Sequence, residues 1–221
     1  MKIATRYTHL ACEECGDTFS KSEIQSHCKK CMHPLTAAYD LTQPISKNIL
    51  IDRPLNMWRY KEVLPIEDDD NIVSLGEGMT DILPLDKLAK VMDLKSLSVK
   101  DESGNPTGSF KARGLSMAVS KAKEFGISEF CIPTAGNAGS ALSAYVAKIN
   151  GIAHVYMPQA TPEVFKKDCA IMGSQVNVIP GSIKDAGVAM KASNIDNKWW
   201  DVTTLKEPFR LEGKKLSLIH I

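Results

Sequence analysis

From residue 96 onward, short apolar segments alternate with longer amphipathic segments, and this regular alternation constrains the fold more than any other feature of the chain. The predicted strands are 96–99, 129–133, 152–157, 175–179 and 199–202. The predicted helices are 109–125, 140–149, one that is capped by Thr161 and runs to Met172, and one that begins at Ser182. Because strands joined through helices pair in parallel by right-handed crossovers, we predict an α/β fold with a doubly wound, mostly parallel sheet.

Composition and charge exclude several broad classes of protein. Of the 221 residues, 43% are hydrophobic and 24% are charged, which is typical of a globular protein and not of a disordered or collagen-like chain. No apolar run approaches the roughly 20 residues of a membrane helix, and the N-terminus has no signal-like stretch, so we expect a cytoplasmic protein without a membrane partner. The net charge of +1 predicts no nucleic-acid partner.

Four of the six cysteines form two CxxC pairs near the N-terminus, Cys12 with Cys15 and Cys28 with Cys31. Two such turns can supply four thiolates to one cation, which predicts a closed, structural zinc site in a zinc ribbon over residues 1–40. Because a ribbon of this size has little apolar surface to bury, we expect metal binding and folding to be one event.

Other uses of the cysteine pairs stay open at this point. Two disulfides are disfavoured in a reducing compartment, and a thioredoxin-like redox pair requires one CxxC at the start of a helix. His27 and His33 flank the second pair and could replace a thiolate, although we expect both histidines to be solvated.

The region between the cysteines and the alternating segments has little periodicity. Residues 36–70 are predicted to be irregular and to end in a solvated acidic turn. Within this region the segment 57–60 is too apolar to be solvated, so we expect it to pack on the following domain. After a glycine loop at 73–78, apolar residues at helical spacing predict a helix over 81–92.

Two loops fall where parallel sheets bind ligands, at the carboxyl end of a strand and before a helix. In the loop 101–111, Lys111 lies in the first helical turn, where the helix dipole opposes a cation and favours loss of the proton. A neutral lysine amine can form a Schiff base with a carbonyl group, and a merely solvated lysine is the alternative. In the loop 134–139, backbone N–H groups at a helix start predict a seat for a carboxylate or phosphate.

The residues around this lysine match a known pattern. Residues 100–114, which read KDESGNPTGSFKARG, resemble the cofactor-lysine signature of fold type II pyridoxal phosphate enzymes, particularly threonine synthases. Three further segments resemble the same enzymes: 58–65, 74–80 and 208–215. An N-terminal zinc ribbon also occurs among these enzymes, and the resemblance extends from about residue 10 to residue 215.

The resemblance implies roles for individual residues. Lys111 is implied to be the catalytic residue, which carries pyridoxal 5′-phosphate as a Schiff base and moves protons. Phe110 and Asn137 are implied to contact the cofactor as well, with Asn137 at the 3-hydroxyl group. The residues implied to bind the substrate are Thr134, Gly136, Asn137, Ala138 and Arg210. Of these, Arg210 resembles the arginine that binds the substrate phosphate.

The same resemblance implies a threonine synthase, a carbon–oxygen lyase of amino-acid biosynthesis that converts O-phosphohomoserine and water to L-threonine and phosphate. Two positions depart from the pattern: Asp81 stands where a proline is usual, and residues 203–206 lack the amide and hydroxyl pairs of phosphohomoserine-specific members. A cysteate synthase that acts on phosphoserine, or a threonine dehydratase, is therefore an alternative enzyme. A non-catalytic zinc-ribbon interaction module is the alternative outside enzymes.

Members of the family are longer than this chain, and two of their features have no candidate here: the glycine-rich loop for the cofactor phosphate and the hydroxyl partner of the pyridine nitrogen. Residues 216–221 leave the family pattern and are predicted to be a non-native tail. The predicted domains are a zinc ribbon at 1–40, the N-terminal part of the large cofactor domain at 41–125 and a small α/β domain at 126–215. We expect a fragment that is inactive alone, and a homodimer for the full-length protein.

Overall fold

The computed structural model describes residues 5–218, and its N-terminal part is a small antiparallel sheet. The strands are β1 (Tyr7–Ala11), β2 (Thr18–Ser20) and β3 (Thr36–Tyr39), in the order β2-β1-β3. Strand β3 lies in the region predicted to be irregular, so that prediction is wrong for residues 36–39. The strand exists because it pairs with β1, and such a distant partner leaves no local pattern in the sequence.

Short 3-10 helices follow at Lys47–Leu50, Met57–Val63 and Asp69–Asn71. Met57 and Trp58 are buried in the main core, which confirms that the apolar segment 57–60 packs on the following residues. The indole Nε1 of Trp58 donates a hydrogen bond of 3.1 Å to Ser116 Oγ, 58 residues further along the chain.

Two strands and one short helix come next. Strands β4 (Ile82–Pro84) and β5 (Ser98–Lys100) form an antiparallel pair, and helix α1 spans Asp86–Val91 between them. The helix predicted over 81–92 is therefore wrong for its first residues. The polypeptide at 82–84 is extended because it pairs with β5, and Pro84 has no N–H to donate within a helix.

The remaining strands form a four-stranded parallel sheet, as predicted. They are β6 (Glu129–Pro133), β7 (Ile152–Pro158), β8 (Gln175–Ile179) and β9 (Trp200–Asp201), in the order β8-β7-β6-β9. The helices that alternate with them are α2 (Lys111–Glu124), α3 (Asn137–Lys148), α4 (Glu163–Ile171), α5 (Ile183–Ser193) and α6 (Phe209–Lys215).

Both faces of the parallel sheet are covered by helices, because successive side chains of each strand point to opposite faces. On one face, Phe130 and Val155 belong to the main core together with residues of α2 and α3. On the other face, Cys131 and Tyr156 form a smaller cluster with Met190 of α5. This two-sided burial explains why β6 and β7 are apolar at most positions.

The ends of the helices differ from the predictions at three places. Helix α3 begins at Asn137 and not at residue 140, so the glycine turn leads directly into the helix. Pro162 and not Thr161 is the N-cap of α4, and the Thr161 hydroxyl group has no hydrogen-bond partner among residues 5–218. Helix α2 begins at Lys111 and not at residue 109, so Phe110 precedes the first helical turn and is 38% exposed.

Helix α6 continues into a 3-10 turn at Leu216–Leu218, and the side chain of Leu216 is fully buried in the main core. The predicted non-native tail therefore begins inside the packed part of the structure, and its residues 219–221 lie outside the described residues. Within 5–218, none of the helices has the length and apolar character needed to span a bilayer. The division into three domains stays a prediction.

Candidate functional site

The two CxxC turns bring four sulfur atoms together. Each turn is closed in the same way, by Gly16 N–H donating to the Cys12 carbonyl at 2.9 Å and by Met32 N–H donating to the Cys28 carbonyl at 3.0 Å. All four Sγ atoms, those of Cys12, Cys15, Cys28 and Cys31, lie within 4.8 Å of one another, and none forms a disulfide. Four converging thiols at this spacing can hold a tetrahedral metal ion.

A cavity of about 630 Å³ lies at the carboxyl ends of the parallel strands. It is lined by six of the residues predicted from the sequence to bind cofactor or substrate: Lys111, Thr134, Gly136, Asn137, Ala138 and Arg210. Phe110, predicted to contact the cofactor, does not line the cavity, and its ring instead lies 3.6 Å from Lys111 Nζ. The cavity lies at the edge of the sheet where the strand-end rule predicts ligand binding.

Lys111 is the first residue of helix α2 and is half-buried. Its amine makes no hydrogen bond or ion pair within residues 5–218 and rests against the Phe110 ring. Burial lowers the pKa of Lys111, and the positive charge of Arg210 lowers it further. The direction agrees with the sequence-based expectation, but the causes are burial and a second cation. A lysine in this state loses its proton more easily than a solvated one.

The turn between β6 and α3 is held in a conformation that requires glycine. Gly136 has a φ of 151°, and a Cβ atom there would lie 3.0 Å from the ring of Phe165. Its N–H donates to Thr134 Oγ1 at 3.2 Å. Within the described chain, the N–H groups of Asn137 and Ala138 have no acceptor, and these donors at the start of a 12-residue helix suit an anion.

Arg210 lies at the second position of α6 and is almost completely buried, with 3% of its surface exposed. One guanidinium nitrogen, Nη1, donates to the Val202 carbonyl, while Nε has no partner within residues 5–218. Burial lowers the pKa of Arg210, and Glu207 partly offsets that effect. A buried guanidinium without a bound carboxylate side chain is suited to a phosphate or carboxylate ligand.

One buried carboxylate, that of Glu77, connects the helices that carry two of these residues. Glu77 Oε1 accepts hydrogen bonds from Trp58 Nε1 at 2.8 Å and Ser116 Oγ at 2.6 Å. Glu77 Oε2 accepts from Tyr145 OH at 2.6 Å. Ser116 belongs to α2 and Tyr145 to α3, so one carboxylate joins the helix that begins with Lys111 to the helix that begins with Asn137.

Several cavity residues were missed by the sequence-based reasoning. They are Phe165 of α4, Ile183 and Lys184 at the start of α5, and Thr203 and Thr204 after β9. The signal that could have found Lys184 is its position in the first turn of the helix that follows β8, since strand ends converge at one edge of a parallel sheet.

Comparisons with known proteins identify the family of this chain. A family model described as pyridoxal-phosphate dependent enzyme matches residues 73–218. The chain is 34% identical over 214 residues to a threonine synthase from Methanocaldococcus jannaschii, and 34% identical over 209 residues to one from Methanosarcina acetivorans. These alignments cover 95% and 94% of this chain but 52% and 51% of the relatives. The chain therefore spans about half the length of the curated relatives it matches.

Solved structures show the same fold at low sequence identity. Diaminopropionate ammonia lyase from Escherichia coli superposes with a TM-score of 0.58 at 18% identity, over 66% of this chain and 46% of that one. Maize serine racemase superposes with a TM-score of 0.57 at 17% identity, over 63% of this chain and 44% of that one. The likeness supports the α/β fold of type II pyridoxal phosphate enzymes.

Proposed function

This chain belongs to the family of pyridoxal-phosphate dependent enzymes, and we propose that it forms the part of a threonine synthase that binds O-phosphohomoserine. The proposed enzyme is a lyase that releases phosphate and adds water to give L-threonine. The observation that carries the proposal is the convergence of a half-buried lysine, an anion-binding turn and a buried arginine around one cavity. The threonine synthases that align with 95% and 94% of this chain support the same activity.

The residues of the cavity fit the cofactor that the family uses. The amine of Lys111 has no hydrogen-bond partner within residues 5–218, and its pKa is lowered. Such an amine is suited to a covalent bond with an aldehyde. Asn137 is exposed at the cavity with an amide that makes no hydrogen bond within 5–218, so it is free to bind the 3-hydroxyl group. When bound, pyridoxal phosphate supplies the electron sink that stabilises negative charge at the substrate α-carbon.

The protein groups then have distinct tasks in the proposed reaction. The unpaired N–H groups of Asn137 and Ala138 bind the substrate α-carboxylate at the positive end of α3. The guanidinium group of Arg210 binds the leaving phosphate. Lys111 Nζ removes the α-proton, because an amine with a lowered pKa is more readily in the neutral form that accepts a proton. Phe165 forms an apolar wall that limits access of bulk water to the cavity.

Borohydride trapping tests the role of the lysine. In the whole protein, reduction in the presence of pyridoxal phosphate is expected to leave a stable adduct on the peptide that contains Lys111, detected by mass spectrometry. Lys111→Ala removes the adduct, whereas Lys184→Ala, which changes another lysine of the same cavity, retains it. An adduct on Lys184 in the native protein contradicts the assignment.

A substrate panel separates threonine synthase from the alternative enzymes. The whole protein is expected to release phosphate from O-phosphohomoserine and to form L-threonine. Release of phosphate from O-phosphoserine in the presence of sulfite, with none from O-phosphohomoserine, identifies a cysteate synthase instead. Arg210→Lys is expected to raise KM for the phosphorylated substrate more than it lowers kcat, since lysine cannot replace the bidentate contact.

We also propose structural zinc at the four cysteines. Their sulfur atoms lie within 4.8 Å of one another, a spacing that a tetrahedral ion with bonds of roughly 2.3 Å allows. Elemental analysis is expected to find one zinc per chain. Cys28→Ser is expected to lose the zinc, and Cys169→Ser, which changes a buried cysteine outside the cluster, is expected to keep it. Equal zinc contents in these two variants contradict the proposal.

The assembly and location of the enzyme are proposals as well. We propose a cytoplasmic homodimer that acts on a small amino-acid phosphate ester and binds neither nucleic acid nor membranes. Sedimentation of the whole protein tests the dimer. A salt-dependent shift of DNA or RNA in a gel would favour the zinc-ribbon interaction module.

A further inference from the structure

A second cleft, of about 600 Å³, lies between the cysteine-rich ribbon and the parallel sheet. We call it the ribbon cleft and define it by Ile24 of the ribbon and by Lys191, Lys198, Trp199 and Trp200 near β9. It shares no lining residue with the cavity of Lys111. The proposed reaction therefore does not use it.

The ribbon cleft offers apolar surface to a ligand. Ile24 is 57% exposed although it is a large aliphatic residue. The Trp199 ring stacks on His154, with 3.6 Å between ring centroids and an angle of 13° between the planes. The stack and a hydrogen bond of 2.9 Å from Trp199 N–H to Asn194 Oδ1 hold this wall in one orientation. A fixed aromatic wall beside an aliphatic side chain suits a flat apolar group.

The charged residues that line the ribbon cleft are two lysines and one aspartate, so the cleft has a net positive charge. Lys191 and Lys198 have no hydrogen bond or ion pair within residues 5–218, and both line the cleft. Asp201 is the acidic residue of the cleft, and its Oδ1 already accepts hydrogen bonds from the N–H and the hydroxyl group of Thr203. The Asn194 amide is likewise bonded to the backbone of Trp199.

From these observations we propose that the ribbon cleft is a binding site for a small organic anion with a flat apolar body, such as an aryl phosphate or an aryl carboxylate. The aromatic wall binds the apolar body, and Lys191 and Lys198 bind the anionic group. Hydrogen bonds to charged groups are stronger than neutral ones, so the two lysines supply the selectivity for an anion.

Calorimetric titration with phenyl phosphate tests the proposal. Inorganic phosphate, which lacks the ring, and benzyl alcohol, which lacks the charge, are each expected to bind about tenfold more weakly than phenyl phosphate. The double variant Lys191→Gln/Lys198→Gln is expected to weaken phenyl phosphate binding about tenfold. Lys184→Gln is the matched control, because it removes a lysine from the other cavity. Equal binding by the double variant and the native protein overturns the proposal, and so does loss of binding in Lys184→Gln alone.

Amine labelling provides a second measurement that needs no variant. Phenyl phosphate is expected to slow acetylation of Lys191 and Lys198 while it leaves Lys148, the last residue of α3, unchanged. Protection of Lys111 and Lys184 without protection of Lys191 and Lys198 places the ligand in the other cavity and contradicts the proposal.

Discussion

The two sheets that flank α2 have similar apolar strands but opposite environments. In the parallel sheet, β6 and β7 are buried on both faces, and Phe130 and Val155 are fully buried. In the antiparallel pair, every residue of β4 is exposed, and Ile82 and Val99 are each 45% exposed. Apolar residue type alone therefore does not determine burial, and the two sheets must be held by different interactions.

A polar network holds the antiparallel pair. Arg113 of α2 is fully buried and donates two hydrogen bonds to Glu102, from Nε at 2.7 Å and from Nη2 at 2.8 Å. Glu102 also accepts a hydrogen bond of 2.7 Å from Thr80, which precedes β4. Lys100 of β5 donates to the Thr80 carbonyl at 3.1 Å. Hydrophobic packing stabilises one sheet, and an ion pair between buried Arg113 and half-buried Glu102 fixes the other to the same helix.

The largest effect is expected from removal of a buried ring in the parallel sheet. Phe130→Ala is expected to lower the free energy of unfolding by about 3–5 kcal/mol, because it removes buried apolar surface and leaves a cavity. Urea denaturation followed by circular dichroism measures this free energy of unfolding. Ile82→Ala, in the exposed strand β4, is the matched control. Equal losses in the two variants contradict the difference between the sheets.

The next largest effect concerns the ion pair. Arg113→Ala leaves the Glu102 carboxylate without its guanidinium partner, and breaking a buried pair costs about 3 kcal/mol. Hydrogen exchange measured by mass spectrometry is expected to rise first in peptides that cover β4 and β5. An even rise across the chain shows instead that the network supports the whole fold.

A smaller loss is expected at Glu77, which connects the loop before β4 to α2 and α3. Burial raises the pKa of the Tyr145 phenol, and the Glu77 charge raises it further, so this hydroxyl group stays a donor. Glu77→Gln puts an NH2 group against donors and is expected to cost about 2 kcal/mol. Glu163→Gln, at a largely exposed carboxylate, controls for the loss of charge. Urea denaturation measures both losses. Equal denaturation midpoints for the two variants contradict the claim that hydrogen bonds to Glu77 stabilise the fold.

Acidic pH provides a milder test of the polar network. Burial alone raises the pKa of Glu102, but hydrogen bonds from Arg113 and Thr80 outweigh burial and lower the pKa. The stabilisation is complete above the unfolded pKa of about 4.3 and is lost as the pH falls through the lower folded value. The free energy of unfolding is expected to decrease with falling pH in this window, and less steeply in Glu102→Gln. Exposed Glu14→Gln should keep the native slope.

The smallest effect is expected at Val99, and Val155 is its buried counterpart. Val99→Thr, in exposed β5, is expected to change the free energy of unfolding by no more than about 0.5 kcal/mol. Val155→Thr, in buried β7, places a hydroxyl group in the core and is expected to cost about 1–3 kcal/mol. Similar losses at both positions show that β5 is covered in solution.

Much of the parallel sheet was predictable. The observed bounds of β6 and β8 are those expected from their apolar runs between glycines. Strands β3 and β4 were missed because each is extended only through pairing with a distant partner. The cavity around Lys111 followed from the strand-end rule and the family resemblance, whereas Phe165 belongs to it only because α4 packs beside the glycine turn.

The sequence by itself determined the strand–helix alternation, the position of Lys111 at the start of a helix and the paired cysteines. These features are encoded by neighbours within a few residues, through periodicity and turn chemistry. Only the tertiary structure decided that Arg210 lies close enough to lower the pKa of Lys111, and that one apolar sheet is buried while the other is exposed. Desolvation and charge interactions depend on groups far apart along the chain, so they exist only once the chain has folded.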